Sequence, residues 1–329
     1  MIISRAPVRI SLGGGGTDLK SYYSREGGFL VAAGIDKYIF IVANKRFYDS
    51  IRVSYSKTEI VDNLDQMEHR IFRESLKLHK INRGIELVSV ADVPANCGLG
   101  SSSSFTVSLL NALHAYQRNF VTQGELAEEA CQIEIDILGE PIGKQDQYIA
   151  AYGGLTALTF ERNGHVNVEP LKMKDEAIDE LERSILLFHS GIERSASEIL
   201  SEQNEKSKQG DTPIIDALNK IKSIGQQTRT ALENGEIDKF GELMDIHWQT
   251  KKALSKKVSN SFIDECYELA RHNGASGGKI MGAGGGGFFI FYCRENQSHL
   301  KDALRTKGLR PTRFRFDFEG AKILVNMKR

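Results

Sequence analysis

The runs GGGG at residues 13–16, GLGSSSS at 98–104 and GAGGGG at 282–287 give this chain three glycine-rich loops, and what flanks each loop limits the fold. Glycine loses more conformational freedom on folding than any other residue, so such runs mark places where bare backbone is needed. The first follows MIISRAPVRISLG, whose alternation reads as a strand. The second joins the extended GIELVSVADVP to a stretch where Phe105, Leu109, Leu113 and Tyr116 recur at helical spacing. The third feeds Phe288-Phe289-Ile290-Phe291, a strand. Strands and helices joined through such loops give a mixed α/β chain.

The remaining segments extend that reading. FLVAAGIDKYIFIVANK reads as one or two buried strands, IRVSYSK continues the extended signal, and DNLDQMEHRIFRESLKLHK is amphipathic and helical. Thr122 and Glu125 form a capping box that opens a helix through about Leu138. GGLTALTFERNGHVNVEPLKM reads as a hairpin turning at Asn163-Gly164. The polar DEAIDELER before the apolar SILLFHSGI puts a boundary near 170–185. At 329 residues two domains are expected, 1–180 and 181–329. Helical patterns then run from SASEILSEQNEKSKQ to NSFIDECYELARHNG, and PTRFRFDFEGAKILVNM returns to β.

Forty-three basic and forty-three acidic residues cancel, which argues against a broad nucleic-acid or membrane-surface footprint. An anionic ligand must therefore be held locally. No apolar run approaches the roughly 18 residues of a membrane span. Cys97, Cys131, Cys266 and Cys293 are scattered without CxxC spacing, as free thiols in a reducing cytoplasm would be. The expectation is a soluble, cytoplasmic protein with no nucleic-acid or membrane partner.

The three loops differ in chemistry. GAGGGG satisfies the GxGxxG dinucleotide pattern by letter, yet that pattern must open a helix and here it feeds a strand. GGKI at 277–280 lacks the spacing and the Ser or Thr of a P-loop. The middle loop lies between strand and helix, so its amides and the helix dipole can converge on an anion, though an ordinary serine N-cap would look the same. In the helix after Thr122, Leu126, Ala130, Ile133 and Ile137 form the apolar stripe and Glu134 falls on its inward side. A buried carboxylate needs a partner, either a metal ion or an arginine. Asp146, in GKQDQYIAAYGG, reads in isolation as an N-cap.

Together, APVRI running into GGGGTD, PANCGLGSSSS and KIMGAGGGG resemble the three motifs of the GHMP kinase superfamily, in that family's order and across essentially the whole chain. The resemblance implies an α/β (α+β) fold of two lobes with the active site in the cleft between them. It implies that ATP phosphates lie along Pro94, Gly98, Leu99, Gly100, Ser101, Ser102, Ser103 and Ser104, and that Ser102 and Glu134 hold Mg²⁺. Asp146 matches the catalytic aspartate, and Arg9 stands where a basic residue faces the transferred phosphoryl group.

The first loop then reads as substrate wall. Galactokinases carry Gly-Glu-His-Thr-Asp there, whereas this chain keeps Thr17 and Asp18 and has glycine for the Glu-His pair. An aspartate that accepts two hydroxyl hydrogen bonds favours a sugar over an isoprenoid alcohol. The pattern resembles the bacterial heptose 7-phosphate kinase branch, with fucokinases or galactokinase-like kinases as rivals and non-catalytic sugar sensors as a reading of another class. Gly14, Gly15, Gly16, Thr17, Asp18, Gly284 and Gly285 are the expected sugar contacts. A phosphosugar needs a second anion site, for which Lys20, Arg25, Lys37, Arg194, Lys251 and Lys252 are candidates, Arg194 foremost as it heads a helix. His247, on a helix face, reads as structural.

Overall fold

The computed structural model describes residues 1–192 and 197–327. Its larger sheet is organised by two long strands, β1 (Ile2–Gly13) and β2 (Gly28–Lys45), which pair antiparallel along nearly their whole length. FLVAAGIDKYIFIVANK is thus one strand. The sheet continues through β3 (Ile51–Ser54), β4 (Thr58–Val61) and β5 (Ile85–Ala91), in the order β2-β5-β3-β4. The first half of β2 instead pairs with β6 (Leu155–Phe160), which pairs with β7 (Val166–Pro170) in the hairpin turned at Asn163-Gly164. The second sheet is antiparallel and draws on β8 (Ile185–His189), β9 (Gly277–Ile280), β10 (Phe288–Tyr292) and β11 (Arg310–Thr312) in the order β11-β8-β10-β9. The last strand, β12 (Lys322–Asn326), returns to the first sheet and covers the outer edge of β1.

The helices of this half are α1 (Lys20–Glu26), α2 (Arg70–Leu78), α3 (Ser101–Gln117), α4 (Gln123–Cys131), α5 (Gln145–Tyr152) and α6 (Asp175–Ser184), of which α2, α3 and α4 lie where the sequence periodicity puts them. After β8 come α7 (Ser197–Lys208), α8 (Thr212–Glu233), α9 (Ile237–Lys252) and α10 (Ser261–His272), and α11 (Gln297–Thr306) lies between β10 and β11. The capping box at Thr122 and Glu125 is formed. None of the described helices is long and apolar enough to cross a membrane. All four cysteines are buried and none forms a disulfide among the described residues.

Burial explains why β1 and β2 are apolar on both faces. Val8, Ile10, Leu12, Val31, Ala33 and Ile35 join one core cluster, while Ala6, Leu30 and Ala32 point the other way against Val107 and Leu110 of α3 and Tyr148 and Ile149 near it. A strand covered on both sides reads as a continuous apolar run. This sandwiching fixes α3 and α5 against β1, and with them the loop ends that build the site.

Candidate active site

The second loop reaches α3 through Gly100, which sits at the N-cap in the left-handed region at φ 76° without side-chain capping. Glycine rather than serine therefore caps the helix, and the first-turn amides are left to a ligand. A Cβ on Gly100 would stand 2.9 Å from an Asp146 oxygen, so the bare backbone brings the loop onto that carboxylate. One on Gly98 would meet the Met281 carbonyl at 2.7 Å, and one on Gly282 the Gly98 Cα at 2.8 Å. The second and third loops thus touch backbone to backbone.

Asp146 lies in the first turn of α5, whose N-cap is Lys144, so it is not the cap that its position in sequence suggests. Arg9, buried in β1, grips it with both arms of the guanidinium: Nε donates to Oδ1 at 2.6 Å and Nη2 to Oδ2 at 2.8 Å. The third nitrogen donates to the Gly98 carbonyl at 2.7 Å. A bidentate fork of this kind fixes orientation as well as charge.

Glu134 is buried on a π-helical turn, Gln132 to Ile137, that follows the end of the α-helix at Cys131. A π turn carries an extra residue per turn, which rotates the next part of the helix about its axis. Ser102 Oγ donates to Oε1 at 3.0 Å and Gln147 Nε2 to Oε2 at 2.7 Å, but among the described residues no cation pairs with it. No arginine among the described residues is its partner. Burial lifts the carboxyl to about 7, against hydrogen bonds from Ser103, Gln147 and Ser102, with Asp146 adding to the rise. An uncompensated buried carboxylate beside a serine hydroxyl fits a hard divalent cation.

Asp18 is buried and oriented by the Gly16 and Gln145 amides, at 3.0 and 3.2 Å. Burial, then the charge of Asp146, raises its pKa above the usual carboxylate value. Facing these acids is a group of cations from the other half of the chain. Lys251 of α9 donates to the Gly282 carbonyl, and Lys279 of β9 donates to His247 Nδ1 at 3.0 Å and to the Leu12 carbonyl at 3.3 Å. Burial and the nearby Arg9 push Lys251 down to about 8, while Asp18 pulls the other way. Burial, then Lys251 and Arg9, push Lys279 well below the lysine range. Burial, then Lys279 and Lys251, push His247 well below the imidazole range as well.

One cleft therefore gathers Arg9, Gly15, Gly16, Asp18, Gly98, Gly100, Ser101, Ser102, Ser103, Glu134 and Asp146 from the expected residues. Others fall elsewhere. The Thr17 hydroxyl is fully buried, within donating distance of the Gly14 and Phe29 carbonyls and accepting from the Phe29 amide, so Thr17 shapes the loop without facing the cleft. Gly14 packs against Phe29 and Leu30, and Leu99 is core. Ser104 turns its hydroxyl to the Pro7 and Gly100 carbonyls, and Pro94 is exposed ahead of the loop. Gly284 and Gly285 pack on Val258, and the third loop instead offers Gly282 and Ala283. Of the candidate anion-site residues Lys251 alone enters the cleft; Arg25, Lys37 and Lys252 are engaged outside it, Lys20 is exposed, and Arg194 lies outside the described residues. Sequence reasoning misses Ser11, Gln145 and Lys279 and reads His247 as structural. The lysine inside KIMGAGGGG is the available signal for Lys279.

A glycine-rich loop opening a helix, beside a bidentate Arg–Asp pair and a buried carboxylate, is an arrangement suited to phosphoryl transfer. Residues 66–154 match the family described as GHMP kinases N terminal domain, and residues 228–309 that described as GHMP kinases C terminal. The chain belongs to the GHMP kinase family, and with it to the ATP-dependent kinases. It is 32% identical to the D-glycero-α-D-manno-heptose 7-phosphate kinase of Campylobacter jejuni over 98% of each chain. Among solved structures it superposes on a D-glycero-D-manno-heptose 1-phosphate kinase from Bacteroides thetaiotaomicron with a TM-score of 0.82, at 26% identity and with both chains wholly covered. Galactokinase of Lactococcus lactis shares the fold, with a TM-score of 0.76 at 20% identity over 98% of this chain and 94% of that one.

Proposed function

We propose that this ATP-dependent sugar kinase transfers the γ-phosphoryl group to the anomeric hydroxyl of D-glycero-D-manno-heptose 7-phosphate, giving the 1,7-bisphosphate. The observation that carries the reading is a wall of buried groups still wanting partners. Ser11 Oγ, Gln145 Oε1 and His247 Nε2 have none, and no carboxylate pairs with Lys251 or Lys279 among the described residues. Each buried polar group left unmatched costs about 1–3 kcal/mol, so a ligand bearing both hydroxyls and a phosphate fits this wall better than a neutral sugar. The heptose 7-phosphate kinase relative supports the same choice.

In this reading the lobes 1–180 and 181–329 close on the two substrates. The amides and hydroxyls of residues 98–104 hold the ATP phosphates, and Ser102 and Glu134 hold Mg²⁺. Such an ion neutralises phosphate charge and orients the transferring group. Asp18 and Gln145 accept sugar hydroxyls, and Lys251, Lys279 and His247 receive the phosphate of the sugar. Asp146 orients the attacking hydroxyl and takes its proton, while Arg9 holds Asp146 in place and offsets charge on the transferring group. A carboxylate is a weak base for an alcohol. Its proton therefore arrives late, once the oxygen is already bonding to phosphorus.

The test is ATP consumption across a panel of both anomers of heptose 7-phosphate, unphosphorylated heptose, fucose, galactose and mevalonate. The expected result is a kcat/KM for one heptose 7-phosphate anomer at least about 100-fold above every other compound, as losing a charged, buried contact implies. Faster turnover of fucose or galactose would reassign the substrate. Tight sugar binding with no turnover at all would make the chain a sensor.

A further inference from the structure

We infer that His79, His114 and Glu129 form a second metal site, for a divalent transition ion of the Zn²⁺ or Co²⁺ class, at the C-terminal end of α3 and separate from the active-site cleft. Their ligand atoms lie within 4.8 Å of one another. His79 Nε2 is 3.1 Å from one Glu129 oxygen, and His114 Nε2 is 2.6 Å from the other. Two imidazoles and a carboxylate are ligands suited to such ions.

The hydrogen bonds around His79 point to a cation at its inner nitrogen. Gln117 donates its amide nitrogen to the His79 carbonyl at 2.7 Å, which leaves its amide oxygen facing His79 Nδ1 at 2.8 Å. That oxygen can only accept, so Nδ1 carries a proton. The other nitrogen, Nε2, is then aimed at the carboxylate. It is buried, in a residue only 7% exposed, and makes no well-directed hydrogen bond. A neutral imidazole would set its lone pair against a carboxylate oxygen, a repulsion that only a proton or a metal ion between them removes. A histidine held through Nδ1–H by an amide oxygen, with Nε2 free, is the arrangement that orients a metal ligand.

Geometry and access agree. Ion-to-ligand bonds of about 2.0–2.2 Å in a tetrahedron separate neighbouring ligand atoms by about 3.3 Å. The His79–Glu129 spacing of 3.1 Å is close to that, and His114, now 2.6 Å from the other oxygen of Glu129, must shift to share the ion. His114 and Glu129 border a surface hollow whose rim also carries Glu125, Glu128 and Asp136. This acidic rim favours entry of a cation, and the hollow leaves room for a water ligand. Bound there, the ion ties together the end of α2, the last turn of α3 and the body of α4. The first turn of α3 carries Ser102, twelve residues and about 18 Å from His114, and the chain beyond α4 carries Glu134.

The experiment titrates chelator-treated full-length protein with Co²⁺ in excess Mg²⁺, following the visible d–d absorption, with Zn²⁺ as competitor. The expected result is one equivalent of Co²⁺ displaced by Zn²⁺, with the band kept in Glu134→Gln, lost in His114→Asn and weakened at least tenfold in affinity in Glu129→Gln. Gln117→Leu, which leaves all three ligands in place, should weaken binding roughly 10–100-fold. Circular dichroism checks that each variant is folded. Absence of stoichiometric binding to wild type would show that a proton occupies the position and would overturn the site. So would binding equally tight in folded Glu129→Gln and His114→Asn.

Discussion

At the scale of single residues the site turns on what holds Asp146. Both its oxygens are engaged by Arg9, so its position is set before any substrate arrives. Asp146→Asn keeps the shape, loses one accepting oxygen and cannot take a proton. Its kcat should fall by about 10²–10⁴, with the KM for ATP changed little. Steady-state kinetics measure both, and near-wild-type turnover would remove Asp146 from the chemistry. Lys251 makes a prediction about pH. From about 8 up to its ordinary 10.5 the folded chain holds it neutral and the unfolded chain holds it charged. Unfolding then takes up a proton, so stability rises with pH across that window, and below it the cost of the buried charge is present in full. Urea denaturation of Lys251→Met should lack the part of that rise which the wild type shows. An identical slope in both would place the titration on another group.

At the scale of elements, two backbone devices build the site. One is contact between loops 98–104 and 282–287, where Gly282 has a φ of 66° and no space for a Cβ against Gly98. Gly282→Ala should cost about 1–3 kcal/mol of strain, and relief by separating the loops should raise the KM for ATP about tenfold or more. An unchanged KM with intact stability would show that the loops do not act as one wall. The other device is the π turn that carries Glu134. Its effect is partly legible in sequence, since helical phase already sets Glu134 on the inward side. What phase cannot give is the ending of the α-helix at Cys131, because an extra residue in a turn depends on what packs against it. The same holds for Asp146: a lone aspartate ahead of an apolar turn looks like a cap, and only Arg9, 137 positions away, makes it something else.

At the scale of the whole molecule, the chain closes on itself through its last residues. Asp317, near the C-terminus, accepts from Tyr38 OH at 2.8 Å and the Gly320 amide at 2.8 Å, while its backbone bonds to Gly34 and Gly154. It is buried, and Arg5 lies 3.5 Å away. Asp317→Ala should lower stability by roughly 3 kcal/mol, since it strips charged hydrogen bonds from buried donors. Chemical denaturation checks this, and a loss below about 0.5 kcal/mol would mean that the C-terminal return is held by β12 alone. The sequence by itself determines the α/β class, much of the order of strands and helices, the glycine-serine loop at the head of α3 and the inward side for Glu134. All of these are local patterns of period and punctuation. Tertiary structure alone decides that Lys251, Lys279 and His247 line one cleft with Asp18, that Thr17 serves the loop and not the cleft, and that two histidines and a glutamate from three helices converge. Those outcomes depend on which distant elements pack together, and a buried charge or an unmatched polar atom acquires its meaning only from the neighbours that packing brings.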